Sequence, residues 1–116
     1  MFQQGDIVSV NFPFSDDTIR KKRPALIISN HRVNHTGDYL LVQITSKVKN
    51  DELSLRINKG DYVKWELPLK SFVRFHKIFL LNEALILRKV SSVKIEYLKS
   101  VTTKIEELIK WESFTY

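Results

Sequence analysis

The sequence contains no cysteine among its 116 residues. This absence excludes disulfide bonds, thiolate metal sites and a cysteine nucleophile. Glycine and proline are scarce, with three of each, and there is no internal repeat, low-complexity segment or linker. No apolar run approaches the roughly 20 residues that a membrane-spanning helix needs. The first residues lack the basic segment and apolar run of a signal peptide. We therefore expect a single soluble, cytoplasmic domain over residues 1–116, without membrane association.

The composition that is present favours a packed domain with a polyanionic partner. Hydrophobic residues make up 43% of the chain and aromatic residues 11%, which suits a packed core and argues against disorder. Lysine and arginine total 19 against 13 acidic residues, which gives a formal net charge of +6. Such an excess is typical of proteins that bind RNA, DNA, an acidic peptide or an anionic surface. Charge indicates the class of partner and says nothing of chemistry.

The most informative stretch is a run of four cations that leads directly into an apolar segment. Residues 20–23 are Arg-Lys-Lys-Arg, and residues 24–30 are Pro-Ala-Leu-Ile-Ile-Ser-Asn. The apolar part has the length and β-branched content of a strand that is covered on both faces. Pro24 biases Arg23 toward an extended conformation, so Arg23 would be held where it can grip a phosphate. The alternative, which composition alone favours, is a solvated turn.

Alternating apolar residues predict at least five short antiparallel strands. We expect them at residues 6–12, 24–29, 38–46, 53–57 and 69–75, with residues 77–81 continuing the fifth strand or pairing beside it. The segments between the first three strands, residues 13–22 and 31–37, are expected to be polar loops.

A helical period replaces the alternation from about Ser92 onward. Ser92 is the expected N-cap, and the helix is expected to end near Trp111. Leu98, Ile105 and Leu108 are expected to face the core. Strands followed by one amphipathic helix are typical of a mainly β fold with a C-terminal α-helix, packed as a small β-barrel.

Several short motifs then resemble one family when they are taken in order. They are Gly5-Asp6-Ile7-Val8, Phe12-Pro13-Phe14-Ser15, Lys22-Arg23-Pro24-Ala25-Leu26-Ile27-Ile28-Ser29, Ile44-Thr45-Ser46, Ser71-Phe72-Val73-Arg74 and Lys77-Ile78-Phe79. Together they resemble the MazF/PemK toxins of type II toxin–antitoxin systems over nearly the whole chain. The resemblance implies an SH3-like barrel, usually a homodimer, and a metal-independent endoribonuclease without a cofactor that cuts single-stranded RNA at short sequences. It also implies a cognate antitoxin, whose acidic and apolar tail fills the RNA groove, and DNA binding in complex with that antitoxin.

The resemblance assigns roles to residues at two strand ends. Arg23 matches the family's arginine before proline, whose role would be to grip the phosphate and stabilise the transition state. Thr45 matches the family's threonine after the third strand, whose hydroxyl would orient the scissile phosphate, and Ser46 is a weaker candidate for phosphate binding. The ordinary alternatives are a rim arginine in a salt bridge and a β-branched residue at a strand end.

Arg74 and His76 form the pair that the residues alone would select as acid and base. They are two apart in a predicted strand and should share one face, while Val73 and Phe75 point to the other. The family carries an arginine at the first of these positions, and some members carry an aspartate, assigned as a base, at the second. His76 can replace that base, since its ordinary pKa is about 6.5, or it can be a surface histidine.

Three further residues are expected to contact RNA. Ser15 lies in the first loop, where the family often contacts its substrate, and Lys21 and Lys22 would attract the phosphate backbone. His31 and His35 are four apart in a predicted loop, and without a third ligand nearby we expect no metal site.

Aromatic residues are a weaker indication. Tyr39, Tyr62 and Trp65 can stack unpaired bases, although aromatics of small barrels more often lie in the core or in a dimer interface.

Metal-free RNA cleavage needs a base for the ribose 2′-OH, an acid for the leaving 5′-oxygen and a cation for the transition-state charge. The expected products are a 2′,3′-cyclic phosphate and a 5′-OH, and DNA would not be cut in this way. Two other function classes stay open. One is a non-enzymatic poison that resembles CcdB-like gyrase inhibitors, and the other is an SH3-like binding module that has lost activity.

Overall fold

The computed structural model describes residues 1–11 and 22–113. These residues contain six strands, namely β1 (Asp6–Asn11), β2 (Lys22–Ile27), β3 (Asp38–Thr45), β4 (Ser54–Ile57), β5 (Ser71–Asn82) and β6 (Ile86–Ser92). Helix α1 (His31–Asn34) is a single turn and helix α2 (Ile95–Ile109) follows the last strand. Short 3₁₀ turns lie at Lys59–Asp61 and Glu83–Leu85. None of the helices in these ranges is long and apolar enough to cross a membrane.

The six strands form one sheet in the order β4-β5-β3-β2-β1-β6, and every neighbouring pair is antiparallel. The predicted mainly β fold with a C-terminal helix is therefore confirmed. Within the described residues the outer strands β4 and β6 do not pair with each other, so the sheet is not closed into a complete barrel.

Apolar side chains cover both faces of the central strands. Leu26 belongs to the cluster that packs against α2, together with Tyr97 and Leu98. Its neighbours Ala25 and Ile27 belong to a second cluster on the opposite face. Because side chains alternate along a strand, β2 supplies both clusters at once. The prediction that this strand is covered on both faces is confirmed.

The start of α2 differs from the prediction. Ser92 is the last residue of β6, where it pairs with Asp6, and the N-cap of α2 is Lys94. The helix ends at Ile109, so Trp111 lies beyond it. Leu98 and Ile105 are buried as expected, but Leu108 is 46% exposed. Leu108 lies in the last turn of the helix, one turn beyond the part that packs against the sheet.

Two elements were absent from the sequence-based prediction. Among the described strands β6 pairs only with β1, and two register shifts interrupt that pairing. Its middle residues are exposed, so it lacks the apolar alternation that marks a half-buried strand. Helix α1 replaces the first part of the expected polar loop at residues 31–37, because the Asn30 side chain accepts a hydrogen bond from the Arg32 backbone N–H and caps the turn.

Strand β5 is continuous from Ser71 to Asn82, but its pairing with β3 is interrupted once. Val42 lies opposite Ile78, whereas the next residue, Gln43, lies opposite Arg74. Residues 75–77 are therefore inserted between the two registers. Bulges of this kind bend a strand and redirect its side chains, and they are common beside active sites. Here the bulge directly follows Arg74 and contains His76.

Candidate active site

Pro24 limits the pairing between β2 and β3. The paired residues are Ala25 with Gln43, Leu26 with Val42 and Ile27 with Leu41. Continuing this register would place Arg23 opposite Thr45, but the ladder stops at Ala25 because proline has no N–H to donate. Beyond that point Arg23 and Thr45 line a cavity together with Pro24. The local sequence thus ends the ladder at the place where the cavity begins.

Two adjoining cavities share Arg23, Thr45 and Lys47. We call the first the cationic cleft; its volume is about 360 Å³, and it is lined by Arg23, Gln43, Thr45, Lys47, Lys49, Asp51, Arg74 and Lys77. We call the second the apolar slot; its volume is about 290 Å³, and its apolar lining consists of Pro24, Ile44, Leu67, Pro68 and Leu69. A phosphate suits the first cavity and a flat apolar ring the second, so the pair has the chemistry of a nucleotide site.

The charge of the cationic cleft is strongly positive. Five of its lining side chains are cations and one is a carboxylate. In the part of the chain that the structure describes, Asp51 pairs with Arg74, while Arg23, Lys47, Lys49 and Lys77 form no ion pair. Four cations without a neutralising partner attract an anion, and the attraction weakens with added salt.

Arg74 lies at one side of this cleft in a dense set of contacts. Its side chain is only 7% exposed, whereas that of Asp51 is 42% exposed. The guanidinium donates from Nη1 to Asp51 Oδ1 at 2.8 Å and from Nη2 to Asp51 Oδ2 at 2.7 Å, a bidentate pair. Nη1 also donates to Ser54 Oγ at 2.9 Å. Nη2 lies 3.4 Å from His76 Nε2.

These contacts shift three pKa values. The hydrogen bonds from Arg74 hold the pKa of the Asp51 carboxyl well below its usual range, so Asp51 is ionised. The Asp51 carboxylate in turn raises the pKa of Arg74. Burial, followed by the nearby charge of Arg74, lowers the pKa of His76. His76 is therefore neutral near pH 7 and available as a proton acceptor.

Four of the eight residues selected from the sequence line the two cavities, and a fifth contacts one of these four. Arg23, Thr45 and Arg74 line the cationic cleft, and Ser46 lines the adjoining apolar slot. His76 touches Arg74 but does not line either cavity.

The remaining candidates are not part of this arrangement. Lys22 is exposed at the start of β2 and lines neither cavity. Ser15 and Lys21 lie outside the described residues.

The lysines at the cleft were missed as site residues. Lys47 and Lys49 continue the every-second-residue spacing that begins at Thr45, and that spacing was a signal. Lys77 was named only as part of a motif. Asp51 lies 23 residues from Arg74 in the sequence, and nothing local in the sequence indicates their contact.

The aromatic candidates differ in their exposure to solvent, and the two histidine candidates lie in helix α1 and at its end. Tyr39 and Tyr62 are buried in the two core clusters, whereas Trp65 is 65% exposed. The imidazole of His35 contacts the backbone carbonyl of His31 through Nδ1 at 2.8 Å. Among the described residues, no group of three histidine or acidic side chains is arranged to hold a metal ion.

The family is shown by a sequence model that spans most of the chain. Residues 3–109 match the model for the PemK-like, MazF-like toxin of type II toxin-antitoxin system. The chain therefore belongs to the PemK/MazF-like toxin family, as its motifs predicted. A search of curated proteins found no relative of the chain.

Solved structures with the same fold are distant in sequence. An endoribonuclease from a mycobacterial species, solved with its cognate antitoxin, is 18% identical with a TM-score of 0.75, covering 97% of this chain and 100% of that one. A MazE–MazF complex from Deinococcus radiodurans is 18% identical with a TM-score of 0.75, covering 95% and 97%. The Mycobacterium tuberculosis toxin MazF-mt6 is 15% identical with a TM-score of 0.71, covering 93% and 99%. At such identity the likeness establishes the fold.

Proposed function

We propose that this protein is a metal-independent endoribonuclease that cleaves single-stranded RNA at specific sequences, as the toxin of a type II toxin–antitoxin system. The observation that carries the proposal is the meeting of Arg23 and Thr45 at a cleft where four cations have no ion-pair partner among the described residues. Family membership supports it, as do structural neighbours that are themselves endoribonucleases.

The cleft offers the groups that grip a phosphate. Arg23 can donate two hydrogen bonds to phosphate oxygens and stabilise the charge that develops during attack. The Thr45 hydroxyl accepts a hydrogen bond from the Lys47 backbone N–H at 3.1 Å, which leaves its own O–H free to donate to the phosphate. Lys47, Lys49 and Lys77 add positive charge to the cationic cleft, where it would attract the RNA backbone.

The reaction would begin at the ribose 2′-OH, which attacks the adjacent phosphorus and displaces the 5′-oxygen. The attacking hydroxyl gives its proton to a base and the leaving oxygen takes a proton from solvent water, so the products are a 2′,3′-cyclic phosphate and a 5′-OH. We assign proton acceptance to His76, which is neutral near pH 7, and charge stabilisation to Arg74 beside it. Because His76 lines neither cavity, its side chain would have to turn toward the cleft, about the place where it meets Arg74, for Nε2 to reach the ribose.

The apolar slot would hold a base next to the bound phosphate. Its lining by Pro24, Leu67 and Pro68 suits the flat face of a nucleobase, and single-stranded RNA can present such a face because its bases are not paired. We propose in addition that a homodimer binds the RNA, and that the acidic, partly apolar tail of a cognate antitoxin competes for these two cavities. A DNA-binding complex with that antitoxin completes the toxin–antitoxin assignment.

The direct test compares wild-type protein with Arg23→Ala on a long single-stranded RNA in excess chelator. We expect wild type to leave cyclic-phosphate ends and Arg23→Ala to cleave about 10²–10³-fold more slowly, since one charged donor to the transition state is lost. Arg88→Ala is the matched control, because Arg88 is exposed on β6 and lines neither cavity. Intact RNA across many sequences, or equal loss in both variants, would overturn the proposal.

A further inference from the structure

We propose that Asp51 is a positioning residue that orients Arg74 and, through Arg74, His76. The inference deepens the proposed function and rests on it, since the groups that Asp51 positions are those assigned to RNA cleavage. Asp51 lies in the segment between β3 and β4, and among the described residues it is the one acidic residue that lines the cationic cleft.

The contacts of the Arg74 guanidinium are the first observation that supports this inference. Among the described residues, each terminal nitrogen of Arg74 has two hydrogen-bonding neighbours, one of which is Asp51 in both cases. Ser54 is the second neighbour of Nη1 and His76 the second neighbour of Nη2. A planar guanidinium held at both ends of its fork has one orientation, and that orientation places Nη2 against the imidazole.

The Asp51 carboxylate is itself held in place by the backbone. A positioning group needs such support, whereas a mobile counterion does not. The Leu53 backbone N–H donates to Asp51 Oδ1 at 3.1 Å. The Leu53 carbonyl accepts a hydrogen bond from the Phe75 N–H at 3.2 Å, which joins the segment to the bulge of β5. Glu52, which lies between Asp51 and Leu53, has a φ of 61°, a left-handed conformation that residues other than glycine seldom adopt.

Electrostatics links Asp51 to His76 as well as to Arg74. The Asp51 carboxylate raises the pKa of His76, against the larger lowering by burial and by Arg74. Removing the carboxylate would therefore lower the pKa of His76 further. It would also leave the guanidinium with Ser54 and the imidazole as its only hydrogen-bonding neighbours among the described residues. Both effects would reach the cleft without any contact between Asp51 and RNA.

The test uses Asp51→Asn, with Glu52→Gln as a control that removes the same charge one residue away. Glu52 is exposed and forms no hydrogen bond or ion pair with Arg74 in the described part of the chain. For Asp51→Asn we expect kcat to fall about tenfold to a hundredfold with little change in KM, since misplacement of reacting groups acts on the chemical step. Asp51→Glu should recover part of the rate, and Glu52→Gln should keep all of it.

A second readout does not depend on RNA cleavage. NMR titration of the His76 imidazole in free protein should give a lower pKa in Asp51→Asn than in wild type, with no such shift in Glu52→Gln. Ser54→Ala, which keeps every charge, should cause a smaller loss of kcat and serves if Asp51→Asn does not fold.

An unshifted pKa of His76, or a rate that falls only with the folded fraction, would overturn the inference. Faster cleavage or tighter RNA binding by Asp51→Asn beyond that of Glu52→Gln would also overturn it, since Asp51 would then block the cleft. A wild-type protein that leaves RNA intact would overturn the proposed function, while the His76 titration would still decide the positioning.

Discussion

Individual side chains determine how the charge of the cationic cleft is distributed. Arg74 is nearly buried, and the Asp51 carboxylate with which it pairs offsets part of its charge. Arg23 also lines the cleft, and no described residue forms an ion pair with it. The two arginines therefore differ in what they can do. Within the described residues Arg23 forms no ion pair and can donate to a ligand. The terminal nitrogens of Arg74 already donate to Asp51 and Ser54, so Arg74 would act on the transition state through its charge.

His76 gives the cleavage reaction an expected dependence on pH. Burial and Arg74 lower its pKa, so the imidazole becomes protonated only below its ordinary value of about 6.5. A protonated imidazole cannot accept the 2′-OH proton, so the rate should fall on acidification through the lowered pKa. His76→Gln should cleave about 10²–10⁴-fold more slowly and lose this dependence. The exposed His31 supplies the control, because His31→Gln should retain both rate and pH profile. An acid limb that persists in His76→Gln would assign the titration to another group.

The same shift also affects stability. In the unfolded chain the imidazole binds a proton at about pH 6.5, before the folded protein does. Stability should therefore decline as the pH falls from that value to the lowered pKa of the folded state. His76→Gln should remove this part of the decline in urea unfolding, and the comparison identifies the imidazole as its source.

At the scale of elements, the site depends on two irregularities in otherwise regular strands. Pro24 ends the ladder between β2 and β3, and the bulge at residues 75–77 interrupts the pairing of β3 with β5. One irregularity places Arg23 beside Thr45, and the other follows Arg74 and carries His76.

Helix α2 supplies a stability test of the corrected apolar face. Leu98 is 4% exposed and belongs to the core cluster, whereas Leu108 is 46% exposed. Leu98→Ala should lower the free energy of unfolding by about 2–5 kcal/mol, because it leaves a cavity against the sheet. Leu108→Ala should change it by no more than about 0.5 kcal/mol. Urea unfolding of the two variants measures the difference, and equal losses would show that both residues pack in the core.

Features that depend on neighbouring residues could be predicted from the sequence, whereas contacts between residues far apart in the sequence could not. Strand β2 was predicted because its apolar run and Pro24 are contiguous, and Arg23 followed from the same few residues. Strand β6 was missed because its exposed middle residues hide the alternation. The Asp51 contact was missed because it depends on how β4 pairs with β5, and that register appears only once the sheet has formed. Arg74 was predicted as a catalytic group, but its dense contacts were not.

For the molecule as a whole, charge and shape act together. The chain carries a net charge of +6, and four of its cations meet without ion-pair partners among the described residues in one cleft of about 360 Å³. An apolar slot adjoins that cleft and shares three of its residues. A flexible polyanion with unpaired bases is complementary to both features, and single-stranded RNA has that chemistry.

The most direct test of this view replaces one ribose. Once the cleavage position in a short RNA is mapped, the same RNA is prepared with a single 2′-deoxynucleotide on the 5′ side of that position. Both are incubated with the protein in excess chelator. We expect the all-ribose strand to give a 2′,3′-cyclic phosphate and a 5′-OH, and the substituted strand to stay intact at that position, because its attacking hydroxyl is missing. Cleavage of the substituted strand at the same bond would show that the 2′-OH is not the nucleophile and would contradict the proposed mechanism.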